Sequence, residues 1–156
     1  MAGSINDFKS TFTSELARPS RFDVNIPVPL TLIPYVNSAR NLIYRCENAN
    51  LPGRTLATAE QRIGSNPIEK YPYLSTYNDI DFTFLIDGNM SEKYLFDAWI
   101  EYIAPTNLQN GTFDFKYKSS YATTIAINQY DISGNKTYQS RLVDAFPRET
   151  VAIWKL

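Results

Sequence analysis

YATTIAINQYDISGNKTYQSRLVDAF, residues 121–146, decides the fold class. β-Branched and aromatic residues recur along it, and Ser133-Gly134-Asn135 interrupts the run with turn-forming residues, so it reads as two antiparallel strands of one hairpin. On the first strand Ile125 and Ile127 point one way, whereas Ala122, Thr124, Ala126 and Asn128 point the other. The first face belongs against a core. The second is small, polar and uncharged.

The same alternation recurs upstream. Phe22, Val24 and Ile26 alternate with Arg21, Asp23 and Asn25, which predicts a half-buried strand that Pro27, Pro29 and Pro34 fray. DIDFTFLIDGN, residues 79–89, sets Ile80, Phe82, Phe84 and Ile86 on a core face and Asp79, Asp81, Thr83 and Asp87 on an acidic one. TFDFKYK, residues 112–118, alternates Phe113, Phe115 and Tyr117 against Asp114 and Lys116. In LIYRCENANLPGR, residues 42–54, Leu42, Tyr44 and Cys46 alternate with Ile43, Arg45 and Glu47, again predicting a strand. Arg45 and Glu47 then lie across the sheet from Cys46, poorly placed to stabilise a thiolate, so the cysteine reads as a packing residue.

Two helices are predicted. Ile5, Phe8, Phe12 and Leu16 recur at helical spacing before Pro19, giving an N-terminal helix or arm over residues 1–18. Over residues 90–104, Leu95, Phe96, Trp99, Tyr102 and Ile103 form a broad apolar stripe suited to covering a sheet. Asn89 is placed to cap this helix, with Glu92 completing a capping box, and Pro105 closes it. Between Pro52 and Tyr77 lies a polar region with a turn at Gly64 to Pro67, too long for an idle connection; it reads as a projecting hairpin. Its Arg54, Arg62, Glu60, Glu69 and Lys70 supply both charge signs, and Tyr71, Tyr73 and Tyr77 supply amphipathic contact area.

Composition excludes several function classes. Lys and Arg number 15 against 16 Asp and Glu, a net charge of −1, so no overall basic field draws the chain to nucleic acid or anionic lipid. There is no histidine and only one cysteine. Histidine-based triads, imidazole general bases and histidine- or cysteine-cluster metal sites are therefore absent from the sequence. Phosphate-binding glycine loops and an acidic calcium loop are missing too. Asp79 and Asp81 are neighbours on one strand face, the ordinary arrangement of solvated charges rather than an acid and base pair. No enzyme activity, cofactor or metal is expected. No apolar run approaches the roughly 20 residues of a membrane helix, and the polar N-terminus lacks a secretory core, which points to a protein made in the cytosol. At 156 residues a single domain over 1–156 is expected.

The ordered combination ARPSRFDVNI, LIYRCENANLPGR, KYPYLSTYNDIDFTFLIDGN, EKYLFDAWIEYI, TTIAINQYDISGNKTYQSRLVDAFP and VAIWKL resembles the tail tube proteins of contractile-tailed bacteriophages, over nearly the whole chain. The resemblance implies a mainly β fold, an antiparallel β-sandwich or barrel with a flanking α-helix, which completes a large β-barrel in a hexameric ring. Rings would stack into a conduit for DNA and protein, inside a tail sheath, between a baseplate initiator and a tail terminator. The protein would be assembled in the host cytoplasm, reside in the virion tail, and pass genomic DNA without specific binding or membrane contact.

It further implies inter-subunit or inter-ring contact through the 52–77 hairpin, with Arg54, Arg62, Glu69, Lys70 and Tyr73 as candidates. Lumen-facing candidates are Asp79, Asp81 and Thr83 on one strand and Thr124, Ala126 and Asn128 on another, because a conduit for a polyanion disfavours cations. In the family a further hydrophobic strand follows the segment matching VAIWKL, so a longer C-terminus is expected. The alternatives are a baseplate tube initiator, the inner tube of a type VI secretion system, and a monomeric β-sandwich binding module.

Overall fold

The computed structural model describes residues 5–11, 18–62, 64, 67–106 and 114–150. Within them three antiparallel sheets are flanked by helices, a mainly β architecture consistent with a β-sandwich. Among the described residues the sheets do not close into a barrel.

The largest sheet has the order β1-β6-β7, with β1 at Phe22–Asn25, β6 at Thr123–Tyr130 and β7 at Lys136–Ala145. The hairpin predicted at residues 121–146 is therefore present. Gly134, with φ of 83°, supplies the left-handed residue of its turn. Val24 stands opposite Ile127 in the register, and these two with Ile125 and Ile26 form the inward face. Against it pack α2, Val36–Arg45, and α3, Ser91–Ile103, through Ala39, Leu42, Leu95 and Trp99. Trp99 is buried whole because its indole N–H donates to the Tyr121 carbonyl at 3.0 Å, leaving no unpaired polar atom inside.

A second sheet pairs β2, Cys46–Ala49, with β5, Phe82–Phe84. Phe82 and Phe84 are half-buried against the core, and Phe84 stacks on Phe96 of α3 with ring centroids 5.9 Å apart. The third sheet is the hairpin of β3, Arg54–Gln61, and β4, Glu69–Tyr77.

Several elements differ from the sequence reading. Residues 42–45 are helical: the apolar positions Ala39, Leu42, Ile43 and Cys46 also fit a helical period, and a run of six residues cannot distinguish the two spacings. A short 3-10 helix, Leu30–Tyr35, leads into α2 and buries Leu32. The strand predicted across 79–89 narrows to β5. Asn89 does not cap α3. Met90 takes the N-cap position with φ of 57° and, its thioether offering no oxygen, without a side-chain cap; Glu92 then stands at the second helical position and its carboxylate is turned inward to Arg45. Residues 114–117 are irregular and lead into a single helical turn, α4, Lys118–Tyr121, rather than forming a strand; Phe115 and Tyr117 are exposed. Only Ile5–Ser10, α1, is described of the N-terminal helix; Phe12 and Leu16 lie outside the described residues, as do Phe113 and the VAIWKL segment.

Candidate assembly and conduit surfaces

Two surfaces carry the residues singled out from the sequence. The first is the β3–β4 hairpin, in which no described residue is buried. Opposed residues share a face in an antiparallel pair, so the register assigns each side chain. Arg54, Leu56, Thr58 and Glu60 share one face with Tyr77, Ser75, Pro72 and Lys70. Thr55, Ala57, Ala59 and Gln61 share the other with Thr76, Leu74, Tyr71 and Glu69.

A bulge makes this division. Ala57 pairs with Leu74 and Thr58 with Pro72, so Tyr73 is the extra residue, without a cross-strand partner. Leu74 and Tyr71 are three apart and would lie on opposite faces of a regular strand; the bulge brings them onto one.

The first face is internally paired. Arg54 Nε donates to Ser75 Oγ at 2.7 Å while its guanidinium lies 6.0 Å from the centre of the Tyr77 ring. Lys70 bridges the strands to Glu60 at 3.2 Å. On the second face, the Tyr71 hydroxyl donates to Glu69, which raises the pKa of the phenol because the carboxylate holds its proton. Arg62 is exposed just past the end of β3. Four of the five contact candidates, Arg54, Glu69, Lys70 and Tyr73, thus lie within the hairpin strands, but on different sides or at the bulge.

The second surface is the outward face of β1-β6-β7. Here the Asp23 carboxylate accepts from Asn128 Nδ2 and from the Tyr130 hydroxyl, both at 2.6 Å. Asn128 Oδ1 accepts from Gln139 Nε2 at 2.8 Å, and Gln139 Oε1 from Arg141 Nε at 3.3 Å. This ladder crosses all three strands. It covers Asn128 so well that only 8% of the residue stays exposed. The Asp23 hydrogen bond raises the pKa of Tyr130 by favouring the neutral phenol. Thr124 is exposed and Ala126 half-buried on the same face.

The other conduit candidates lie elsewhere, Thr83 on β5 of a different sheet and Asp79 and Asp81 in the segment before it. Asp79 precedes β5 and forms an ion pair with Arg148, Asp81 is exposed, and Thr83 points outward opposite Asn48. Position in sequence carried no signal for Asp23, Tyr130, Gln139 or Arg141, because the ladder depends on register: that of β1 against β6, about a hundred residues apart, and that of the β6–β7 hairpin, whose pairing shifts at bulges. Among the described residues no group of His, Cys, Asp and Glu is arranged to hold a metal ion, and no helix is long and apolar enough to cross a membrane.

A family model described as phage tail tube protein matches residues 17–153. The chain belongs to the phage tail tube protein family. No curated protein matches it. This tail tube protein is a structural component of a bacteriophage tail. Its one cysteine fits that role. Cys46 is half-buried beside the core, its thiol donates to the Asn48 carbonyl at 3.4 Å, and burial pushes its pKa up to about 11. The sequence reading of Cys46 as a packing residue stands, although the chain bearing it arrives from a helix.

Proposed function

We propose that this tail tube protein forms hexameric rings that stack into the inner tube of a contractile tail, a conduit for DNA and protein. The supporting observation is the β3–β4 hairpin. Its two strands hold eight and nine residues, none of them buried. An isolated two-stranded hairpin is at best marginally stable in water, so a neighbouring subunit supplies what the chain's own core does not. The outer edges of β1 and β7, unpaired among the described residues, point the same way, since an open edge is a template for further pairing and ring closure removes it.

In this reading the outward face of β1-β6-β7 lines the lumen. Many of its donors and acceptors are occupied by one another; Arg141 is tied to Gln139 and Arg21 to the Asp131 and Ile132 carbonyls, while Lys136, opposite Tyr130, stands exposed at the end of the face, so along most of it a passing phosphate finds few groups to capture. Of Asp79, Asp81 and Thr83, Thr83 belongs to a shorter sheet of two strands, and Asp79, before it, is engaged with Arg148. The tail sheath surrounds the tube, a baseplate initiator and a terminator close its ends, and assembly takes place in the host cytoplasm.

Electron microscopy of the purified protein tests this reading: hollow filaments with sixfold rings are expected, and solitary globules at every concentration overturn it. Filament formation also separates a tube subunit from a baseplate initiator, which is present in few copies. For the lumen, Asn128→Lys in assembled tubes is expected to retain polyanions that the unmodified tube releases. Equal retention by both moves the lumen to another face.

A further inference from the structure

A groove of about 190 Å³ opens where the end of β1 meets α2. It is lined by Ile26, Val28, Val36, Ala39 and Ile43, with Arg40 at the side. Arg40 is exposed and forms no ion pair with the described residues. Elsewhere, the second face of the hairpin presents Leu74 and Tyr71, 51% and 48% exposed, beside the small residues Ala57 and Ala59. Glu69 ends that face. One surface is therefore an apolar concavity with a cation, and the other an apolar ridge with an anion.

We infer that the Leu74 and Tyr71 face of the hairpin seats in the β1–α2 groove of a second copy, with Glu69 meeting Arg40. This rests on the tube reading, which supplies the second copy, and adds the two surfaces that meet. The charges select the occupant. The other hairpin face has Arg54 and Lys70, already paired with Ser75 and Glu60, and would bring further cations toward Arg40. The bulge at Tyr73 gives the ridge its shape, because without it Leu74 and Tyr71 would not share a face. Reach is sufficient: eight extended residues span about 27 Å. Next to the groove runs the open edge of β1, where a joining subunit already comes close in the proposed ring.

A charge swap tests the inference. Glu69→Arg and Arg40→Glu are each expected to slow filament growth at least tenfold, followed by light scattering, while the double variant recovers most of the rate. Circular dichroism and thermal melting of each variant verify the fold. A second measurement does not depend on growth. With Cys46→Ala, the pair Leu74→Cys and Ile43→Cys is expected to yield disulfide-linked multimers on oxidation, and each single cysteine none from this pairing. Single charge variants that grow normally, a double variant that stays defective though folded, or absence of the crosslink in formed filaments overturns the docking and leaves the tube reading intact. Failure of the unmodified protein to form filaments overturns the tube reading itself.

Discussion

The β1-β6-β7 sheet with α2 and α3, and the β3–β4 hairpin, are both built from alternating strands, yet only the first encloses a core. Val24, Leu42 and Leu95 have no exposure and Trp99 has 1%. The hairpin has comparable strands and buries nothing. The difference teaches that backbone pairing alone does not define a stable unit: a side-chain layer must cover at least one face, and among the described residues the hairpin has none.

The sharpest way to break this comparison is to delete side chains on each side of it. Trp99→Ala is expected to cost about 3–5 kcal/mol in denaturant unfolding, through a cavity and an orphaned Tyr121 carbonyl. Leu74→Ser should alter the unassembled subunit by less than about 0.5 kcal/mol, while filament formation is lost. A large loss of subunit stability in Leu74→Ser would place the hairpin within the subunit's own core.

The next effect concerns the joint between α2 and α3. Glu92 is 1% exposed, its carboxylate pairs with Arg45, and it accepts the Asp87 amide at 3.4 Å. Glu92→Ala leaves Arg45 without this partner. Because Arg45 retains access to water and has Asp87 at 3.7 Å, the expected cost is about 2 kcal/mol, below that of severing a wholly buried pair. Unfolding at constant pH measures it, and no loss would show that the pair only fills space.

A smaller effect appears at high pH. The folded Cys46 thiol titrates at about 11 against an ordinary 9.0, so folding favours the protonated form. That preference is fully present below pH 9 and is lost as pH rises through 11. Thiolate absorbance should report a midpoint near 11, and alkylation of the folded protein at neutral pH should be slow. An ordinary midpoint would move Cys46 out of its half-buried setting.

The smallest effect is expected at Asp79 and Arg148, an ion pair that ties the loop after the hairpin to the segment after β7. Both side chains are largely exposed, so Arg148→Ala should change stability by at most about 0.5 kcal/mol, an effect that vanishes at high salt. A larger, salt-insensitive loss would make this tie a structural one.

Much of the fold was legible in residues close together in sequence. Alternation marked β1 and β6, the Ser133-Gly134-Asn135 turn placed β7 beside β6, and the Leu95, Phe96, Trp99 stripe marked α3. The same local logic failed at residues 42–45, where one apolar pattern satisfies both periods and only burial of Ala39 and Leu42 against α3 and the sheet selects the helix. It failed at Asn89, because the helix starts one residue later and Glu92, at its second position, turns to a partner away from the helix terminus. That partner, Arg45, is 47 residues away.

Sequence by itself determined the class of strands and helices, the absence of histidine chemistry, the Cys46 assignment and the family, each of which depends on residue identity and short spacing. Tertiary structure decided which polar residues meet in the ladder from Tyr130 to Arg141, how a bulge sorts the faces of the hairpin, and where an apolar groove opens beside Arg40. The reason is physical: periodicity is a property of neighbours along the chain, whereas register and burial depend on where distant segments come to rest.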